Sequence, residues 1–316
     1  MSQAVHVRAP CRLHFGMFSF GHADRAQFGG VGMVIDPPAV EVDIAPAASF
    51  TVSGSLTERA RHFVELAAAA WQLPTLPQCH LDVRAPSDHV GLGVGTQLGL
   101  AIAAGLRRWL RLPELAIEAL AAAVDRAHRS AVGTYGFQRG GLIVDAGIIR
   151  KPSTDRLQRR LDIPDEWRIV LVRAENRRGL AGVHEADAFA RLPPVPKHIT
   201  QQLWRITEHE MLPAVERSDC NAFGEAVYQF GRLAGECFAP IQGGPFADAA
   251  IAGLVQRIRA HGIRGVGQSS WGPTVFAICP SQAEAEALVE WLRESVEPTT
   301  HEISIANPNN AGAVIR

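Results

Sequence analysis

The sequence predicts an α+β fold rather than a doubly wound sheet. Strand-period alternation marks both ends of the chain, at 5–10 and again at 301–305. Apolar runs at 263–266 and 274–279 flank a polar turn as hairpin neighbours do, and three helical patterns (197–217, 220–237 and 246–261) follow one another with no strand between them.

In chain order, Val5-His6-Val7-Arg8-Ala9-Pro10 has the period of a half-buried strand, and a glycine-punctuated stretch follows from Gly16 to Gly32. Alternation resumes at 40–44 and 50–52. Thr57 is the candidate N-cap of a helix with apolar positions at Phe63, Val64, Ala67 and Trp71 and a stop at Pro74. Residues 81–84 read as a short strand stopped by Pro86. Gly91-Leu92-Gly93-Val94-Gly95-Thr96 then leads into a helix over 97–110. A second helix spans 113–129, with Pro113 in its first turn, and 140–145 reads as a strand. The basic, polar run 150–160 reads as a solvated linker, so two domains are expected, 1–155 and 156–316. A strand at 169–172 opens the second half, the three helices follow, and Ser281 caps a last helix ending near Glu294.

The 316 residues are 47% hydrophobic and 20% charged, enough to fill a sizeable core. A formal net charge of -1 excludes bulk attraction to nucleic acid or an anionic membrane, so a polyanionic substrate would need a local concentration of positive charge. Cys11, Cys79, Cys220, Cys237 and Cys279 form no CxxC pair, which fits reduced thiols in a cytoplasmic protein. No stretch approaches 18 consecutive apolar residues, so neither export nor a membrane span is expected. The nine histidines other than His14, His22 and His184 show no metal-ligand spacing.

Three glycines at alternate positions before a helix let a ligand approach the backbone, and the helix start adds free N–H groups and the positive end of its dipole. The spacing alone is equally that of a tight strand-to-helix turn. It is neither a Walker A loop nor GxGxxG.

Three separated segments, read together, resemble the GHMP kinase superfamily: 9–16 (Ala-Pro-Cys-Arg-Leu-His-Phe-Gly), 91–97 and 265–276. The resemblance implies an N-terminal α/β domain like part of a ribosomal protein, a C-terminal ferredoxin-like domain, and a site between them. Within that superfamily, Arg12 to Gly16, Gln27 to Gly32, Gly95-Thr96-Gln97, Gly140 to Asp145 and Gly267 to Pro273 resemble the beta-ribofuranosylaminobenzene 5'-phosphate synthase family. The implied reaction is attack of an aromatic ring carbon on C1 of phosphoribosyl pyrophosphate, with loss of pyrophosphate and carbon dioxide from 4-hydroxybenzoate or 4-aminobenzoate. The resemblance places it in tetrahydromethanopterin synthesis and one-carbon metabolism. Mg2+ is the implied cofactor, with ligands the sequence does not name, and a homodimer is expected. Two departures from the kinase pattern stand out. Val94 and Gly95 replace two serines, and the segment 130–137 has no carboxylate to take an acceptor's proton.

On that resemblance Gly91, Gly93, Gly95, Thr96 and Gln97, with Gln27, are expected at the phosphates. Arg12, His14 and Arg25 supply cationic or hydrogen-bonding groups near the first motif. Each arginine reads otherwise as surface charge, and His14, between Leu13 and Phe15, as a core histidine. Gln268, Ser269 and Ser270 can bond phosphate or a ring hydroxyl, and Trp271 can stack on the acceptor; the alternative is a polar turn with Trp271 in the core. Glu185 and Asp187 read as helix-capping acids and Arg177-Arg178 as a solvated pair. An ATP-dependent kinase and a catalytically silent binding protein on the same fold are the competing readings.

Overall fold

The computed structural model describes residues 4–149, 156–174, 177, 179, 182–295 and 301–316. The first half contains β1 (Val5–Met17), β2 (Gly30–Pro46), β3 (Thr51–Gly54), α1 (Thr57–Ala70), β4 (Cys79–Arg84), α2 (Val94–Trp109), α3 (Ile117–Ala123), α4 (Val132–Arg139) and β5 (Leu142–Asp145). The second runs through β6 (Leu157–Leu161), β7 (Arg168–Ala174), α5 (Gly182–Arg191), α6 (Lys197–Ile206), a π-helical turn (Thr207–Met211), α7 (Leu212–Glu216), α8 (Cys220–Glu236), α9 (Ala239–Gln242) and α10 (Ala249–Ala260). It closes with β8 (Gly265–Gln268), β9 (Val275–Cys279), α11 (Gln282–Ser295), β10 (His301–Pro308) and β11 (Val314–Ile315).

The strands form one sheet whose main path is β11-β1-β2-β10-β7-β9-β8, with β4 and β5 pairing further along β2. The β1–β2 pair is its spine. Val5, Val7, Ala9, Cys11, Leu13 and Phe15 are all buried. β1 continues seven residues beyond the alternation read from the sequence, because register shifts at Pro10/Cys11 and His14/Gly16 break the period without ending the pairing. α2 is buried along most of its length against β1 and β2. In the second half the order β10-β7-β9-β8 is that of a ferredoxin-like βαββαβ unit. β7 alternates between two cores. Val170 and Val172 pack with Leu254, Val255 and Ile258 of α10 and Leu288 and Leu292 of α11. Ile169 and Leu171 join the larger core, which includes Phe223, Val227 and Phe230 of α8. β10 couples the halves, pairing with β7 over 301–306 and then with β2 through Asn307↔Asp36 and Pro308↔Ile35.

Several boundaries differ from the sequence reading. Thr57 is the first helical residue of α1, not its cap; Leu56 holds the cap position in a left-handed conformation, and the helix ends at Ala70, before Pro74. α2 begins at Val94 because Gly93 already turns the chain. The helix expected over 113–129 shrinks to α3, and residues 124–131 instead form an irregular segment leading into α4. The expected linker 150–160 falls partly outside the described residues. Its described end is no solvated tether: Arg156 is 4% exposed and 157–161 is a strand paired with β5. Ser281 does cap α11, its hydroxyl accepting from the Glu284 amide. Among the described residues no helix is long and apolar enough to cross a membrane.

Candidate active site

The two glycine-rich loops meet. Gly91 (φ 86°) and Gly93 (φ 75°) both sit in the left-handed region, where a side chain is strained. A Cβ at Gly91 would also overlap the carbonyl of Ser269. The Gly91 carbonyl accepts from Arg12 Nη1 at 2.6 Å and from Ser269 Oγ at 2.7 Å. Thr274 Oγ1 donates to the Val90 carbonyl at 2.6 Å, and the Gly179 amide to that of His89 at 2.7 Å. From the other side, the His14 amide donates to Ser269 Oγ and the Ser270 amide to the His14 carbonyl, both at 3.0 Å. Strand β1, the loop before α2 and the turn after β8 are thus stapled together at one point.

Beside this staple opens a cleft of about 670 Å³. Arg12, His14, Gly91, Gly93, Gly95, Thr96, Ser270 and Trp271 line it. Four arginines (Arg12, Arg59, Arg126 and Arg129) face it, against three carboxylates, Asp88, Asp125 and Glu185. The carboxylates are already engaged: Asp88 lies 3.4 Å from Arg59 Nη1, Asp125 bonds His128, and Glu185 pairs with Arg129 while accepting from Trp271 Nε1 at 3.0 Å. Arg126 makes no ion pair among the described residues; it lies over the Phe63 ring, 5.1 Å from its centroid.

Three of these guanidinium groups are electrostatically uncomfortable in a way an anion would relieve. Burial draws Arg12 down to about 10, with only the opposing influence of Cys11 and Glu185. Burial also lowers Arg59, and Arg126 is lowered by burial and then by the charges of Arg59 and Arg129. A side chain at Gly95 would overlap the Arg59 guanidinium, so the glycine makes room for a cation. That cation sits at the first turn of α2, where the helix dipole disfavours positive charge.

His14 is 5% exposed and its Nε2 lies 2.9 Å from Ser130 Oγ. Burial and then Arg12 push it down to about 3, so the imidazole is neutral at ordinary pH. Ser130 belongs to the segment 125–131, which a buried ion pair holds in place. Asp145, with no exposed surface, accepts from Arg156 Nε at 3.0 Å and Nη2 at 2.7 Å and from the amides of Ala131 and Gly147. Arg156 donates onward to the carbonyls of Ala127, at 2.9 Å, and Arg129.

Four of the expected site residues stand elsewhere. Arg25 pairs with its neighbour Asp24 and does not line the cleft. Gln27 shapes the loop before β2, accepting from the His22 amide and bridging to Ile148. Gln97 is 1% exposed and donates to the Gly133 carbonyl at 2.9 Å, tying α2 to α4. Ser269 is fully buried in the staple. Gln268 instead lines a second, adjoining pocket, its amide donating to the Ser270 carbonyl and accepting from the Ala247 amide. Glu185 lies in the first turn of α5, as its reading as an acid at a helix start expects, and is also the partner of Trp271 and Arg129; Arg177 pairs with Asp248, while Arg178 lies outside the described residues. Arg59, Arg126 and Arg129 went unnoticed in the sequence because α1 and the segment after α3 approach the cleft only through tertiary packing.

Among the described residues no three His, Cys, Asp or Glu side chains gather as a metal site. With the cleft carboxylates committed to arginine, histidine and tryptophan, this donor set does not make a protein cage for Mg2+.

A second, apolar pocket adjoins the cleft, sharing His14, Met17, Ser270 and Trp271 with it. Trp271 meets Phe238 edge-on at 4.8 Å between centroids and Phe189 at 5.8 Å.

Comparison with known proteins agrees with this architecture. Residues 211–297 match the family model described as "GHMP kinases C terminal". Over essentially the whole chain the structure superposes on a putative homoserine kinase from Listeria monocytogenes (TM-score 0.70, 18% identity, 99% of each chain). It also superposes on mevalonate diphosphate decarboxylase from Staphylococcus aureus (TM-score 0.67, 13% identity, 100% of this chain and 98% of that one). In sequence it is 30% identical over 293 residues to the beta-ribofuranosylphenol 5'-phosphate synthase of Methanothermobacter thermautotrophicus, covering 86% of this chain and 88% of that protein. The enzyme of the same name from Archaeoglobus fulgidus is 29% identical over 305 residues, covering 88% and 89%. The fold is that of the GHMP kinases, and the chain, an enzyme, belongs to the beta-ribofuranosylphenol 5'-phosphate synthase family.

Proposed function

We propose that the protein is a decarboxylating C-ribosyltransferase, joining phosphoribosyl pyrophosphate to 4-hydroxybenzoate or 4-aminobenzoate in tetrahydromethanopterin synthesis. The observation that carries this reading is the convergence of Arg12, Arg59 and Arg126 on the positive end of α2. Cations set against a helix N-terminus repel both it and one another, and only an anion reconciles them. A diphosphate there would accept from the first amides of α2, from Thr96 and from the guanidinium groups.

The reaction asks the protein for little proton transfer. The bond from ribose C1 to the pyrophosphate oxygen breaks and its electron pair leaves with pyrophosphate. The ring carbon bearing the carboxylate forms the new bond to C1. The carbon–carboxylate bond then breaks, its pair returns to the ring, and carbon dioxide departs. Charge develops on the leaving diphosphate, where preorganised cations lower the barrier most. A neutral, buried His14 and a segment 130–137 without a carboxylate suit this chemistry better than phosphoryl transfer from ATP, which benefits from a group orienting the acceptor hydroxyl. Mg2+, on this reading, enters bound to the diphosphate of the substrate.

The test incubates the protein with phosphoribosyl pyrophosphate, Mg2+ and carboxyl-labelled 4-hydroxybenzoate or 4-aminobenzoate. Labelled carbon dioxide and pyrophosphate should appear in equal amounts. ATP consumption with a small alcohol, and no labelled gas, would replace this reading with a kinase.

A further inference from the structure

We propose that the apolar pocket beside the arginine cleft is the subsite for the acceptor's aromatic ring, with its depth set by Gly231 and its para-substituent recognised by Gln242. The assignment rests on the ribosyltransferase reading and adds where the second substrate sits.

Phe15, Phe238, Phe246 and Trp271 contribute to the walls, which suit a planar aromatic ring. Because the pocket and the cleft share His14, Met17, Ser270 and Trp271, a ring held here presents one edge to the arginines. An acceptor with a carboxylate on one edge and a donor on the other is matched end for end: the carboxylate, and the carbon that bears it, toward the cations and ribose C1, the donor away from them.

Gln242 lines this pocket and not the cleft, and supplies the partner for that donor. Its Nε2 donates to the carbonyls of Gly244 at 3.0 Å and Gly235 at 3.4 Å. Two carbonyl partners fix the orientation of the amide. Its Oε1, an acceptor in a residue lining the pocket, has no partner among the described residues. A phenol or aniline N–H or O–H donates to it. As the ring attacks C1, that group becomes more acidic, so the bond strengthens toward the transition state.

Gly231 is the telling residue. Glycine weakens a helix interior relative to alanine. Two other glycines of α8 are sterically required: a Cβ at Gly224 would lie 2.5 Å from the Gly265 nitrogen, and one at Gly235 would overlap the Pro245 carbonyl. At Gly231 the nearest atom to a Cβ is the Phe15 carbonyl oxygen at 3.4 Å, an ordinary contact, so backbone packing does not demand glycine there. The room it leaves is pocket.

Calorimetric titration of the full-length protein with 4-hydroxybenzoate, benzoate and inorganic pyrophosphate tests this. Gly231→Leu should weaken 4-hydroxybenzoate at least tenfold and leave pyrophosphate within twofold. Gly231→Ala, which fits the space and favours the helix, should weaken it about threefold and keeps the comparison available if the leucine variant does not fold. Gln242→Leu should erase the preference for 4-hydroxybenzoate over benzoate. Wild-type affinity for 4-hydroxybenzoate in both Gly231 variants, or an unchanged preference in Gln242→Leu, overturns the pocket assignment while labelled carbon dioxide release still upholds the reaction. Absence of that release in the wild type overturns the reaction itself.

Discussion

Arg12 reaches across the fold to donate to the carbonyl of Gly91 at 2.6 Å, so the first strand's cation and the glycine loop's backbone are a single unit. Gly91→Ala breaks that unit, because the left-handed backbone disfavours a side chain and the Ser269 carbonyl occupies its space. The strain costs about 1–3 kcal/mol of unfolding free energy, read from denaturant titration. Turnover should fall further than stability explains, since Arg12 loses its anchor.

Arg126 separates binding from folding. It has no carboxylate partner among the described residues and is opposed by Arg59 and Arg129. Arg126→Met keeps the stem over Phe63 and removes the charge. Stability should be unchanged or higher, while KM for phosphoribosyl pyrophosphate rises roughly 10- to 100-fold, the worth of a charged hydrogen bond of about 1.5–3 kcal/mol. Loss of stability with unchanged KM would count against the cleft as the diphosphate site.

The Asp145–Arg156 pair gives the opposite pattern. Asp145→Ala leaves a buried guanidinium uncompensated, at a cost of about 3–5 kcal/mol. The segment it holds carries Arg126, Arg129 and Ser130, so kcat/KM should drop even under conditions where the variant is folded.

His14 sets an acid limit. Its folded value, about 3, lies below the ordinary 6.5 because burial and Arg12 disfavour the charged ring. A depressed imidazole contributes stability that is present above 6.5 and lost as pH falls toward 3, at about 1.4 kcal/mol per pH unit. Denaturant midpoints of the wild type should therefore fall below pH 6.5, and His14→Gln should flatten that slope. The pH profile of kcat/KM should show no inflection from His14 between pH 5 and 8.

What the sequence made legible was local. The period of β1, the glycines at 91 and 93, and the 265–279 hairpin carry their signals within a few residues, and all three shape the site. Arg59 reads as one polar position on an amphipathic helix; only the packing of α1 beside α2, and the missing side chain at Gly95, bring it to the helix start. Gln97 and Ser269 sit inside recognisable motifs, yet both are buried and donate to backbone carbonyls of neighbouring segments, Gly133 of α4 and Gly91. Residue type shows that a polar group is needed there. It does not show whether that group faces ligand or scaffold. Arg156 fails for the converse reason: a basic run looks solvated until its one inward member finds Asp145.

The seam formed by Asn307 and Pro308 against Asp36 and Ile35 constrains how this enzyme admits its substrates. Clamshell motion of two lobes would tear ladder hydrogen bonds along that seam and at Val7↔Ile315. α5 is tied to the cleft differently, through side chains: Glu185 accepts from Trp271 Nε1 and pairs with Arg129, contacts that can part without breaking the sheet.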